Sequence, residues 1–180
     1  MGSLTVCWFG RGGQGCFTAA RVLGLAATRQ GLHALAFPTF GPERRGAPIS
    51  GFTRINDLPI RDRSEITHPD VVILLDHSLE VLANSRGGRD ARWLLVNRPG
   101  PISKQEKNGR LRVELDASGL AERRIGRRIA NTAMLGALSA ATHRIELGAL
   151  QWALERELKV AHRTSNLDVL GAAFEEVSRG

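Results

Sequence analysis

Apolar residues in this chain fall into two spacings. Short unbroken or alternating runs bounded by Gly and Pro read as strands; runs at helical spacing read as helices. Leu4-Thr5-Val6-Cys7-Trp8-Phe9, ending in Gly, predicts a buried strand. Leu32–Phe37 predicts a second and Ile49–Ile55 a third, with Gly51 as a bulge or close-approach point. Val71–Leu75, opened by Pro69-Asp70, is unbroken and predicts a central strand buried on both faces. Arg92–Asn97, stopped by Pro99-Gly100-Pro101, predicts another, and the alternation of Arg110–Leu115 predicts an edge strand. Phe17, Ala20, Val22, Leu23, Ala26 and Ala27 predict a helix over Cys16–Gln30 with Gly31 as its C-cap. A short helix is expected over His77–Ala83 and an almost uncharged, small-residue helix over Ala133–Ala141, buried in a core or an interface. Leu147–Leu158 and Leu167–Val177 read as amphipathic helices, the last capped by Thr164-Ser165-Asn166.

Strands alternating with helices imply an α/β fold: a three-layer α/β/α sandwich around a mostly parallel, Rossmann-like central sheet, with Val71–Leu75 central and covered by helices on both faces. At 180 residues, with no repeat or linker, the chain reads as one domain spanning residues 1–180. No apolar run approaches a membrane span, and residues 1–9 lack the pattern of a signal peptide, so a cytoplasmic location is expected. Cys7 and Cys16 are the only cysteines, so the chain alone is expected to hold no metal or iron–sulfur cluster.

Charge changes the picture. The formal net charge is +7, and Arg supplies 22 of the 25 basic residues. The excess is concentrated in residues 1–63 and 86–128. Such patches attract nucleic acid, phosphorylated cofactors or acidic partners, although a compositional bias toward Arg gives the same count.

Two loops carry the candidate chemistry. Gly10-Arg11-Gly12-Gly13-Gln14-Gly15 fits G-x-G-x-x-G between a strand and a helix, where a phosphate meets a helix N-terminus. A dinucleotide site also wants an acidic ribose ligand some twenty residues on. The first acidic residue here is Glu43, which argues against a self-contained NAD or FAD site. A pyrophosphate or adenosine group assisted by Arg11 remains open, as does tight strand–helix packing at the glycines. The second loop, Phe37-Pro38-Thr39-Phe40-Gly41-Pro42-Glu43-Arg44-Arg45-Gly46-Ala47, sets Glu-Arg-Arg between Gly and Pro residues that exclude a helix interior.

These two runs, with Pro69-Asp70-Val71-Val72-Ile73 and Asn131-Thr132-Ala133-Met134-Leu135-Gly136-Ala137, resemble the gamma subunit of 2-oxoacid:ferredoxin oxidoreductases, in the family's order and over nearly the whole chain. Residues 100–128 contribute least to the likeness. The resemblance implies a non-autonomous subunit of a complex that oxidatively decarboxylates a 2-oxoacid. Such complexes use thiamine diphosphate, Mg2+, [4Fe-4S] clusters and coenzyme A, with thiamine and clusters mostly on other subunits. The implied partners are thiamine-binding and substrate-binding subunits and a ferredoxin-like subunit. It also implies that the gamma chain borders the active site and helps to receive coenzyme A, placing Arg11, Gly12, Gly13, Gln14, Gly15, Glu43, Arg44 and Arg45 as candidate cofactor-binding residues; no catalytic residue is assigned.

Each candidate keeps its plainer alternative. Arg44 and Arg45 bind coenzyme A phosphates or a substrate carboxylate, or else form inter-subunit ion pairs, with Glu43 pairing one of them. His77 follows a strand where α/β folds place ligands, or caps the next helix toward solvent. Cys16 opens a helix that would stabilise a thiolate, or is core. A stand-alone nucleotide-binding reductase would need a ribose ligand and a substrate domain. A nucleic-acid-binding module would need aromatics interleaved with basic residues, and the nine aromatics sit mostly in apolar strands.

Overall fold

The computed structural model describes residues 2–38 and 46–180. Strands β1 (Leu4–Arg11), β2 (His33–Pro38), β3 (Pro48–Asn56), β4 (Val71–Leu74), β5 (Trp93–Asn97), β6 (Ser103–Lys107) and β7 (Arg110–Leu115) form one sheet in the order β2-β3-β1-β4-β5-β7-β6. β1, β4, β5 and β7 pair in parallel, while β3 and β6 run against their neighbours near the two edges. Helices α1 (Cys16–Arg29), α2 (Glu80–Ser85), α3 (Ala117–Ile125), α4 (Asn131–Thr142), α5 (Leu147–Glu157) and α6 (Val160–Arg179) complete the α/β architecture.

Alternation along the strands divides the core in two. Leu4, Val6 and Trp8 of β1 join the core shared with α1, α3, α4, α5 and α6, while Cys7 and Phe9 point to the other face. β4 lies in the middle of the sheet and its four side chains are 0 % exposed. That explains its unbroken apolar sequence, since each face needs an apolar residue; full burial of such side chains is worth roughly 1.5–3 kcal/mol apiece.

The helical layers are unequal. One face carries five helices. The other is covered by Leu79 and Ala83 of a one-turn 3-10 segment (His77–Leu79) and the short α2, together with Ile66 and Ala91. On the thick face, α4 is buried continuously from Thr132 to Ala140. Its small residues serve a close helix crossing: a Cβ on Gly136 would collide with the Leu170 carbonyl oxygen of α6. The small-residue helix is therefore core.

Gly51 is a close-approach point. β1 and β3 stay in register through Trp8↔Gly51, and a Cβ there would lie 3.3 Å from the Cys16 carbonyl oxygen.

Several expectations need correction. The edge strand is β6, not Arg110–Leu115, which becomes the second strand from that edge through an Asn108-Gly109 hairpin turn with φ of 53° and 75°. α3 was not anticipated. α6 starts at Val160, so Thr164-Ser165-Asn166 lie within it; Asn166 Nδ2 donates back to the His162 carbonyl at 2.8 Å. The 3-10 segment is capped by Asp76, which accepts from Ser78 N at 3.0 Å, and not by His77. No helix among the described residues is long and apolar enough to cross a membrane.

Candidate anion-binding site at the first glycine turn

The Gly-rich turn stands at the C-terminal end of β1 and opens α1. Its path is set locally. Gln14 N donates to the Arg11 carbonyl at 3.0 Å, and Arg11 N donates to the Gln14 side-chain Oε1 at 2.7 Å. Gly15 takes the N-cap position with φ 79°, a left-handed conformation that disfavours other residues, and an added Cβ would collide with Asn131 Nδ2. Gly13 has φ 94°, is exposed, and would meet nothing within 4 Å, so conformation rather than space dictates glycine there. Gly10 is a packing glycine: a Cβ would lie 2.6 Å from Cys16 Sγ.

The turn leaves donors unused. Gly12 N donates to the Ala47 carbonyl at 3.0 Å. The amides of Gly13, Gly15 and the first turn of α1 find no acceptor among the described residues. That first turn holds no acidic residue and has no side-chain cap. Amides converging at a helix N-terminus, with the helix dipole behind them, favour an anion.

Arg11 is tied into the protein. Its Nε donates to Asp76 Oδ2 at 2.8 Å, one Nη to Ser78 Oγ at 2.8 Å and the other to the Gly46 carbonyl at 3.2 Å. Burial disfavours the Asp76 carboxylate, but the Ser78 hydroxyl and amide and the Arg11 guanidinium outweigh it and hold its carboxyl below the ordinary value of 3.8. Arg11 thus links three segments: the glycine turn, the end of β4 and the start of the β3 approach at Gly46-Ala47. Glu43, Arg44 and Arg45 lie outside the described residues. Gly46 and Ala47, the first described residues after them, are both bonded to the glycine turn, which places the start of β3 beside it.

On the opposite side, Asn131 at the start of α4 donates from Nδ2 to the Gly15 carbonyl at 3.4 Å. Sequence reasoning gave no role to Asp76, Ser78 or Asn131. Only their positions hinted at one: a strand end and a helix start, where α/β folds gather ligand groups.

The cysteines are inert at neutral pH. Burial raises both thiols to about 12, and Cys7 and Cys16 belong to cores on opposite faces of the sheet. The residues of this chain do not fit an iron–sulfur cluster, which needs a set of thiolate ligands. Among the described residues no group of three or more His, Cys, Asp or Glu could hold a metal ion.

A mixed sheet, parallel at β1, β4, β5 and β7, with a donor-rich glycine turn at the C-terminal end of β1 defines an α/β domain equipped to hold an anion, and comparison with known proteins gives that class its family. Residues 5–176 match the family described as Pyruvate ferredoxin/flavodoxin oxidoreductase, and the chain belongs to it. It is similar to the pyruvate/ketoisovalerate oxidoreductases common subunit gamma of Thermococcus kodakarensis, 40% identical over 179 residues and covering 95% of each chain. It is also similar to the pyruvate synthase subunit PorC of Methanosarcina barkeri, 44% identical over 147 residues and 81% of each chain. Among solved structures, the pyruvate oxidoreductase subunit PORC of Thermotoga maritima matches with a TM-score of 0.79 and 30% identity, covering 97% of both chains. A 2-oxoglutarate:ferredoxin oxidoreductase chain from Magnetococcus marinus shares the fold at a TM-score of 0.82 and 18% identity; the present chain spans 32% of it. The chain is thus a gamma-type subunit of an oxidoreductase complex acting on 2-oxoacids.

Proposed function

We propose that the chain, as one gamma-type domain spanning residues 1–180, forms a wall of the active-site cleft of a coenzyme-A-dependent 2-oxoacid oxidoreductase and helps to seat coenzyme A. It would act in the cytoplasm beside thiamine-binding, substrate-binding and ferredoxin-like subunits that carry thiamine diphosphate, Mg2+ and the [4Fe-4S] clusters. The observation that carries this reading is the group of unused amides at Gly13, Gly15 and the first turn of α1. A coenzyme A phosphate supplies the negative charge these donors lack. Gly12 and Gln14 shape the turn, Arg11 holds it against Asp76 and the start of β3, and Glu43, Arg44 and Arg45 bring charge from the adjoining loop. Guanidinium groups suit phosphate oxygens because their donors are paired and always charged. The Magnetococcus marinus structure, of which the present chain spans 32%, is described as having 2-oxoglutarate, coenzyme A and succinyl-CoA bound.

Arg44→Ala and Arg45→Ala, introduced into the assembled complex, test the reading. The complex should assemble, and the apparent KM for coenzyme A should rise about tenfold or more, the loss expected for one charged hydrogen bond. Parent-like kinetics at limiting coenzyme A in both variants would make the loop structural.

A further inference from the structure

A second cleft, of about 380 Å³, opens on the helical face between α1, α4, α5, α6 and the α3–α4 connection. Its volume is within the range of small-molecule sites. Val22, Leu135, Leu154 and Leu158 give it an apolar floor. Thr132 Oγ1 donates to Asn166 Oδ1 at 3.0 Å, and Asn166 in turn donates to the His162 carbonyl, so the α4–α6 wall is braced by hydrogen bonds.

The connection that closes the cleft alternates. In the run Arg123-Arg124-Ile125-Gly126-Arg127-Arg128-Ile129, residues 125, 127 and 129 line the cleft. Arg124 pairs with Asp168 and Arg128 with Glu122, and Arg123 lies 3.9 Å from Asp116. Among the described residues, Arg127 alone of the four has no acidic partner and no carboxylate lines the cleft. An apolar floor, one uncommitted guanidinium, a neighbouring imidazole at His162 and no acid together select for a negatively charged ligand with an apolar body.

We propose that this cleft binds an amphipathic anion: a compact aliphatic or aromatic body on the apolar floor, with one carboxylate or phosphate head on Arg127. The proposal does not depend on the coenzyme A reading. The two sites share a wall, because Asn131 lines the cleft and also bonds the Gly15 carbonyl. A ligand here is therefore in a position to act on the glycine turn.

Calorimetric titration of the full chain with hexanoate, hexyl phosphate and hexanol tests this. At least one anion should bind about tenfold tighter than hexanol, the preference one charge-assisted hydrogen bond supplies, and whichever anion binds tighter identifies the head group. Arg127→Ala, at an exposed position, should remove that preference while leaving hexanol binding unchanged. Ser165→Phe, which fills the cleft from α6, should abolish binding of all three probes. Equal binding of anions and alcohol, no binding of any probe, or an anion preference that survives Arg127→Ala would overturn the proposal.

Discussion

The ends of β5 and β7 and the end of β1 lie along one edge of the sheet and treat their polar groups in opposite ways. Around β5 and β7 the groups mostly satisfy one another, the buried Arg98 Nε being the exception. Asn97, 7 % exposed, donates to the Leu75 carbonyl and to Ser118 Oγ, both at 2.8 Å, and accepts from Ser118 N at 3.1 Å. Arg112 bridges Glu80 and Glu114, with Nη2 to Glu80 Oε2 at 3.0 Å and Nε to Glu114 Oε1 at 2.8 Å. At β1 the arrangement is reversed: Gly13, Gly15 and the start of α1 hold donors without acceptors among the described residues. A closed polar network stabilises a fold; an open one is ready for a ligand. Substitutions should therefore cost stability at the first region and binding at the second.

The largest stability loss is expected from Asn97→Ala. It strands the Leu75 carbonyl and the Ser118 hydroxyl and should cost about 3 kcal/mol in chemical denaturation. A loss below about 1 kcal/mol would show that water replaces the side chain easily.

Arg112→Ala should follow at about 2 kcal/mol, because Glu80 and Glu114 lose their hydrogen-bonded partner and keep only the longer Arg98 contacts, at 3.8 and 3.5 Å. This network also sets a pH dependence. The Arg112 hydrogen bond, against the opposing effect of burial, holds the Glu80 carboxyl below its ordinary value of 4.5. A carboxyl depressed in the folded state stabilises above its unfolded value and loses that contribution as pH falls through the folded one. Glu80→Gln should thus be less stable than the parent near neutral pH, with the gap closing well below 4.5. A pH-independent gap would remove the ion pair from the account.

Gly13→Ala gives the smallest stability effect, about 1 kcal/mol, since an L-residue must adopt φ 94° but meets no atom. In the assembled complex the same substitution should still raise the apparent KM for coenzyme A. An unchanged KM alongside the stability loss would make the turn a packing feature.

The sequence made legible what burial dictates. Val71–Leu75 reads as central because both faces of β4 are apolar, and α4 reads as buried because Gly136 and its small neighbours admit α6. β6 was hidden because Ser103–Lys107 is polar and largely exposed, though Asn108-Gly109 is a hairpin signal that would have found it. α3 likewise carried its own punctuation in the Asp116 cap, which accepts from Gly119 N at 2.8 Å, and in Gly126 at its end. The glycine turn was legible as a motif. Its supports were not, because Asp76 and Asn131 reach it from 65 and 116 residues away, and only the folded sheet brings them together.

Hydrogen exchange of the assembled complex, with and without coenzyme A, tests the central claim most directly. The account predicts that coenzyme A slows exchange at the amides of Gly13, Gly15 and Cys16 while leaving the Arg112 and Glu114 amides of β7 unchanged. Unaltered exchange across residues 12–18 at saturating coenzyme A would contradict it.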